Sequence, residues 1–370
     1  MANLSLVLVC ALLYVGAVTC LIKSKLCYYK NVKDARFNYD GGHCEGPKNW
    51  CTITDCWTTC GSKLRQSPIN INTRKALPIY GRKNFVLENI HRRVSATIFN
   101  NGHAPGFNVA VDKNNKKNII LTKVPRKPSN EKYIFAQLHV HVGQKDKGSE
   151  HSIDGKFYPM EAHMVFYNSK YDNIAKAKPA EDGLVVIGVM LKAKRKDGDE
   201  DDEYDDDGER QRGKRECGRC KVRFARRLSF IMERYYKKVR EPKSSRSPEP
   251  QHTVPKDLKC GKPQSQKTIE NKCIKKGSEN SDAVSVSYGI SPQDVLPDDK
   301  RFYTYLGSLT TPPCYETVQW IVFKCPIVVS RGAFEALRKV KDSHGRPLSA
   351  LGIRRPIQPG NIKQKVFKNF

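Results

Sequence analysis

The chain has 370 residues, with 66 Lys and Arg against 38 Asp and Glu, a formal net charge of +28 and 13 cysteines. That length holds one large core or two small ones. Clustered cysteines point to an oxidising compartment, and the charge, lacking aromatic platforms on which bases stack, argues against nucleic acid as partner.

Residues 1–20 are apolar and followed at once by Lys23 and Lys25, the pattern of a secretory signal. No other run is long and apolar enough for a bilayer, and the C-terminal KQKVFKNF is no lipid-anchor signal, so the mature protein is expected to be soluble, secreted and free of the membrane. Cys27, Cys44, Cys51, Cys56 and Cys60 crowd the next segment. Short alternating stretches over 92–99 and 118–121 are predicted strands.

Over 134–142, side chains alternate so that Gln137, His139 and His141 leave one face and Leu138, Val140 and Val142 the other. Over 160–167, Glu161, His163 and Val165 share a face. If these two strands neighbour each other antiparallel, three imidazoles meet. Three neutral nitrogen ligands suit zinc with an open fourth position. An H-x-H pair also opens the metal site of cupin-type iron enzymes, where a carboxylate joins, and Glu150 is available for that part.

Further strands are predicted over 184–191 and 318–329, giving a single α+β, mostly β domain over 21–370, built on a large, mainly antiparallel sheet with peripheral helices. Two segments interrupt it. Residues 192–223 set an acidic run, 197–209, between basic flanks, and residues 241–280 are rich in Pro, Ser and Lys; both are read as flexible loops. Between them, 224–240 keeps apolar residues at helical spacing. Cys217 and Cys220, with Cys260 and Cys273, allow a zinc ribbon, but disulfides fit the spacing better, with Cys260 to Cys273 stapling the second loop. The acidic run is either a solvated loop or a weak, multivalent Ca²⁺ binder.

RQSPININ (65–72), FNNGHA (99–104), GSEHSIDG (148–155), EAHMVFYN (161–168) and YLGSLTTPPC (305–314) occur in this order. Together they resemble the α-class carbonic anhydrases over most of 39–370. The resemblance implies a twisted central sheet with zinc at the bottom of a conical cleft, and CO2 and bicarbonate as the reacting pair. It implies His139, His141 and His163 as zinc ligands, with Gln137 and Glu161 holding their outer ring nitrogens. Thr310, paired with Glu150, would orient the attacking oxygen, and Thr311 would help hold bicarbonate. Val165, Val186, Leu309 and Trp320 correspond to the carbon dioxide pocket, and His103 to the proton relay. In secreted members a bridge like Cys60 to Cys314 is present. This chain departs from the family pattern at Pro105 and Gly106, which look inserted after the relay, and at Val142 and Leu306.

The cysteine-rich stretch 37–70 is similar to nacrein and related shell-matrix proteins of molluscs, although their Gly-Asn repeat is replaced here by charged blocks. That implies an extracellular calcifying matrix, with anionic polysaccharides, acidic matrix proteins or calcium carbonate as partners. The alternative is a non-enzymatic matrix protein that binds mineral or polymer through its loops, and homo-oligomerisation stays open.

Overall fold

The computed structural model describes residues 27–81, 84–112, 117–144, 147–194, 223–236, 260, 284–286, 289–342, 345–359 and 364–370. The expected signal, 1–20, lies outside them, as do Cys217, Cys220, Cys273 and the acidic run.

Eight strands position the site: β1 (Ala96–Phe99), β2 (Gly106–Val109), β3 (Tyr133–Val142), β4 (Met160–Asn168), β5 (Leu184–Ala193), β6 (Phe302–Gly307), β7 (Val318–Phe323) and β8 (Ile327–Val329). They lie in one large sheet in the order β1, β2, β3, β4, β5, β7, β6, continued by short strands beyond each end. Neighbours are antiparallel from β1 to β5 and between β7 and β6, whereas β5 runs parallel to both β7 and β8. A parallel pair needs a long crossover, and the chain between β5 and β7 supplies it.

The two faces of the sheet carry different chemistry because side chains alternate. On one face Leu138, Val140, Met164, Phe166, Ile187, Val189 and Phe323 are buried together, under helices α1 (Arg226–Tyr236) and α2 (Arg331–Arg338). Leu228, Ile231 and Met232 of α1 and Phe334 and Leu337 of α2 belong to that core. On the other face a second apolar group, including Val165, Val186 and Trp320, borders the histidines. A bulge between Phe135 and Gln137 sets which β3 residues reach that face. Before it the even-numbered Ile134 joins this second group; after it the odd-numbered Gln137, His139 and His141 take that side. One extra residue in the ladder thus aims the histidine pair.

Several predicted boundaries move. Only Ala96–Phe99 of the stretch 92–99 is a strand, and Ile120–Thr122 replaces 118–121. The stretch 318–329 divides into β7 and β8 around Pro326, which has no N–H to give a ladder. Helix α1 begins at Arg226, not at 224, because Arg223 and Phe224 first pair in parallel with Ile327 and Val328. The charged stretch read as a loop over 192–223 is shorter at both ends: Lys192 and Ala193 pair with Val328 and Val329 as the end of β5, and Arg223 is itself in a strand.

Cys260 bonds Cys51 and not Cys273, which also removes it from any zinc ribbon. Gly61 makes room for that bridge: a Cβ there would come within 2.8 Å of the Cys260 Cβ and 3.1 Å of the Cys51 sulfur. Spacing along the chain carried no sign of this pairing, since the partners are 209 residues apart. Cys27–Cys44 and Cys60–Cys314 are also bridged, and Cys56 and Cys325 are disulfide-bonded. Trp50, Ile53 and Trp57 pack with Cys27, Cys56, Cys60 and Cys314 into a separate apolar cluster that holds the N-terminal segment.

Candidate metal centre

Strand register brings the histidines together. His139 of β3 lies opposite His163 of β4, and His141 lies opposite Glu161. The next row toward the open side reads Gln137, Val165, Val186 and Trp320 across β3, β4, β5 and β7. One ring nitrogen from each of His139, His141 and His163 falls within 4.8 Å of the others.

Each of the three rings has its outer nitrogen held by an oxygen. His139 Nδ1 donates to Gln137 Oε1 at 3.1 Å, His141 Nδ1 to the Ile353 carbonyl at 2.6 Å and His163 Nε2 to Glu161 Oε1 at 2.8 Å. Fixing the proton on the outer nitrogen leaves a lone pair on the inner one, the tautomer a metal ligand requires. Burial first, then the neighbouring His163 and His141, keeps the His139 imidazole well below its ordinary pKa. Burial also lowers His141, against the opposing pull of Glu150. Both rings are therefore neutral at pH 7 and able to bind a metal.

Glu161 is the hub of a directed chain. The Ser308 N–H donates to Ser67 Oγ, Ser67 to the Tyr305 hydroxyl, Tyr305 to His151 Nε2, and His151 Nδ1 to Glu161 Oε1, over links of 3.0, 2.9, 2.6 and 2.7 Å. Burial alone would raise the Glu161 carboxyl, but the His151 and His163 rings outweigh it and hold it well below the carboxylate range. Aligned links of this kind polarise one another. Two glycines leave space for it: a Cβ on Gly188 would sit 2.9 Å from Glu161 Oε1, and one on Gly307 2.2 Å from Ser67 Oγ. His151, Glu161 and His163 form a second close group of metal-binding types, but its donors are already spent on one another.

Glu150 is fully buried, with Oε1 accepting the Arg355 N–H at 2.9 Å. The expected hydrogen bond from Thr310 is not formed. Glu150 Oε2 has no hydrogen-bond partner and lies 3.3 Å from His141 Nε2 and 3.9 Å from His163 Nδ1. Thr310 is buried and Thr311 partly exposed on the same loop. Val165, Val186 and Trp320 belong to one buried apolar group, with Leu309 packed against it.

His103 stands apart from the cluster and stacks on Phe37, ring centroids 3.7 Å apart. Pro105 and Gly106 are accommodated where β2 begins, Gly106 pairing with both Phe99 and His139. Asn101 turns its oxygen back to the His103 and Ala104 N–H groups, and Asn108 accepts from Gln137.

Sequence reasoning passed over several contributors. His151, Ser67 and Tyr305 lie inside the recurring motifs, where their side chains had no assigned part. The Ile353 carbonyl is backbone and leaves no mark in a sequence, and Arg355 has no periodicity to single it out.

The donor set fits a metal ion. Two buried polar atoms, His141 Nε2 and Glu150 Oε2, point at the cluster without hydrogen-bond partners, a costly arrangement unless a cation satisfies them. An open mixed sheet with three histidines on one face, backed by a carboxylate, makes a site able to hold a single metal ion. The eukaryotic-type carbonic anhydrase profile matches residues 45–206 and 259–370, and the chain belongs to that family of enzymes, which interconvert carbon dioxide and bicarbonate. It is 51% identical to a nacrein-like protein of Mytilus californianus over 336 residues, covering 88% of this chain and 99% of that protein. It is 28% identical to nacrein of Pinctada fucata, covering 91% and 89%, and 31% identical to carbonic anhydrase 7 of Mus musculus, covering 89% and 97%. Among the described residues no helix is long and apolar enough to cross a membrane.

Proposed function

We propose that the chain is a zinc-dependent carbonic anhydrase secreted into a calcifying extracellular matrix. The observation that carries the zinc reading is the set of three inner imidazole nitrogens whose outer partners are all fixed by oxygen acceptors. Zinc, when bound, lowers the pKa of water to about 7, carbonic anhydrase being the standard example of the effect.

His139, His141 and His163 hold the ion, and Gln137, the Ile353 carbonyl and Glu161 keep their rings aimed. Val165, Val186, Leu309 and Trp320 offer carbon dioxide, an apolar molecule, an apolar wall beside them. Thr310 and Thr311 border the same place, where Thr310 orients the attacking oxygen and Thr311 holds the bicarbonate formed. His103 passes the released proton outward, from a ring resting on Phe37. Purified protein is expected to contain about one zinc per chain and to lose hydration activity on chelation, regaining it with added zinc. Chelator-resistant activity, or none in zinc-replete protein, would defeat this reading.

The matrix part of the proposal rests on the likeness to nacrein-like proteins, on disulfides such as Cys27–Cys44, Cys51–Cys260 and Cys60–Cys314, and on a net charge of +28. Disulfides persist in extracellular space. The charge suits anionic matrix polysaccharides or acidic matrix proteins, while calcium binding by the acidic run has the sequence alone behind it. Binding to a sulfated polysaccharide should fall steeply between low salt and about 0.5 M, since screening shortens from ~10 Å at 0.1 M. Absent or salt-insensitive binding counts against the tether and leaves the enzyme untouched.

A further inference from the structure

The helix Ile174–Ala177 lies against the wall of the metal centre, with Ala177 buried in the same apolar group as Val165, Val186 and Trp320, and Ile174 packed on it. The residue that ends this helix is Lys178. Its N–H donates to the Ile174 carbonyl at 3.0 Å, and its own carbonyl accepts the Thr317 hydroxyl at 2.7 Å, so the base of the side chain is fixed from two sides. The side chain is only partly exposed, and among the described residues no carboxylate is paired with it. Burial alone shifts its pKa, and shifts it down. Thr317 directly precedes β7, the strand that carries Trp320, so the Lys178 main chain is pinned at the edge of the apolar wall.

Gln137 and Asn108, bonded to each other beside His139, are neutral. Of the two carboxylates, Glu161 is held by His151 and His163, and Glu150 has Oε1 on the Arg355 N–H and Oε2 against the His141 and His163 rings. A partly desolvated cation with no counter-charge lacks the partner that would offset its desolvation. The substrate of hydration is uncharged and its product carries one negative charge, so a cation here acts on the product and leaves the substrate alone.

We infer that Lys178 is an anion-binding residue on the wall of the centre, which takes small inorganic anions and holds bicarbonate as it forms. The inference rests on the carbonic anhydrase reading of the adjoining site. A lysine at a helix end also faces the last carbonyls of the helix, and a purely capping role predicts loss of stability with no change in anion binding.

The test compares wild type with Lys178→Met, Lys178→Gln and Lys178→Arg, each checked for fold by circular dichroism and thermal melting. Removing the charge should raise the KM for bicarbonate in dehydration and the inhibition constant for thiocyanate together, by about tenfold, as expected for one unit charge at partly screened range. Lys178→Arg should stay within about twofold, because it keeps the charge. Calorimetric titration of thiocyanate into chelator-treated protein gives a readout independent of catalysis, and wild type should bind more tightly than Lys178→Met. Folded Lys178→Met or Lys178→Gln protein with wild-type anion constants would overturn the inference. A zinc-replete wild type inert toward carbon dioxide would instead overturn the enzyme reading, and the chelator-treated titration would still decide for or against Lys178.

Discussion

His141→Ala is expected to lose stoichiometric zinc, and carbon dioxide hydration with it. His141 is fully buried, its Nδ1 is tied to the Ile353 carbonyl, and its Nε2 points at the cluster. Losing an outer partner of a ligand already costs about 10–100-fold in metal affinity, and losing the ligand itself costs more. Two protein nitrogens would remain, with Glu150 Oε2 close by. Elemental analysis after dialysis, paired with a hydration assay, decides the matter: full zinc retention at the wild-type rate would mean that the three-histidine centre is wrongly assigned.

Arg355→Ala should bring the second largest loss, this time in stability. The Arg355 side chain is buried and donates to Gln66 Oε1, the Ser67 carbonyl and the Cys60 carbonyl at 2.7, 2.8 and 2.9 Å. Burial lowers its pKa to about 10, so it remains charged at neutral pH. Removing the guanidinium strands three buried acceptors, and breaking a buried network of this size destabilises by about 3–5 kcal/mol. The Arg355 N–H to Glu150 is main chain and survives the substitution. Urea titration should therefore show a much earlier midpoint, while protein that remains folded keeps its zinc. A loss below about 1 kcal/mol would show that the Cys60–Cys314 bridge holds this segment without help from the arginine.

The parts of the fold that were legible in the sequence are those written in alternation. Leu138 and Val140 against His139 and His141, and Met164 against His163, disclose both faces of two strands from residue order alone. The bulge between Phe135 and Gln137 was not legible, because an inserted residue changes register without changing composition. Nor was the division of β7 from β8 in an apolar run, although Pro326 offered the hint. At the candidate metal centre the meeting of the three histidines could be read, and so could Gln137 and Glu161, because they share a face with the rings they hold. What supports His141 could not, because it is the main chain of Ile353, 212 residues away. The Thr310 to Glu150 link was carried over from the family, and in the structure Glu150 Oε2 lies beside the His141 and His163 rings. Lys178 escaped notice because a lysine among Ala and Pro residues looks like any solvated surface charge.

The two long bridges give the molecule a property that a linear chain lacks. Cys51–Cys260 and Cys60–Cys314 both straddle the charged stretch beyond β5. A protease that nicks any single peptide bond between Cys60 and Cys260 therefore leaves two pieces still joined by both of these bridges. A nick after β5 would put all three histidines on one piece and Thr310, Arg355 and Trp320 on the other, without parting them. The part of the sequence that departs most from an ordinary carbonic anhydrase is thus the part whose cutting, by itself, cannot separate the two halves of the active site.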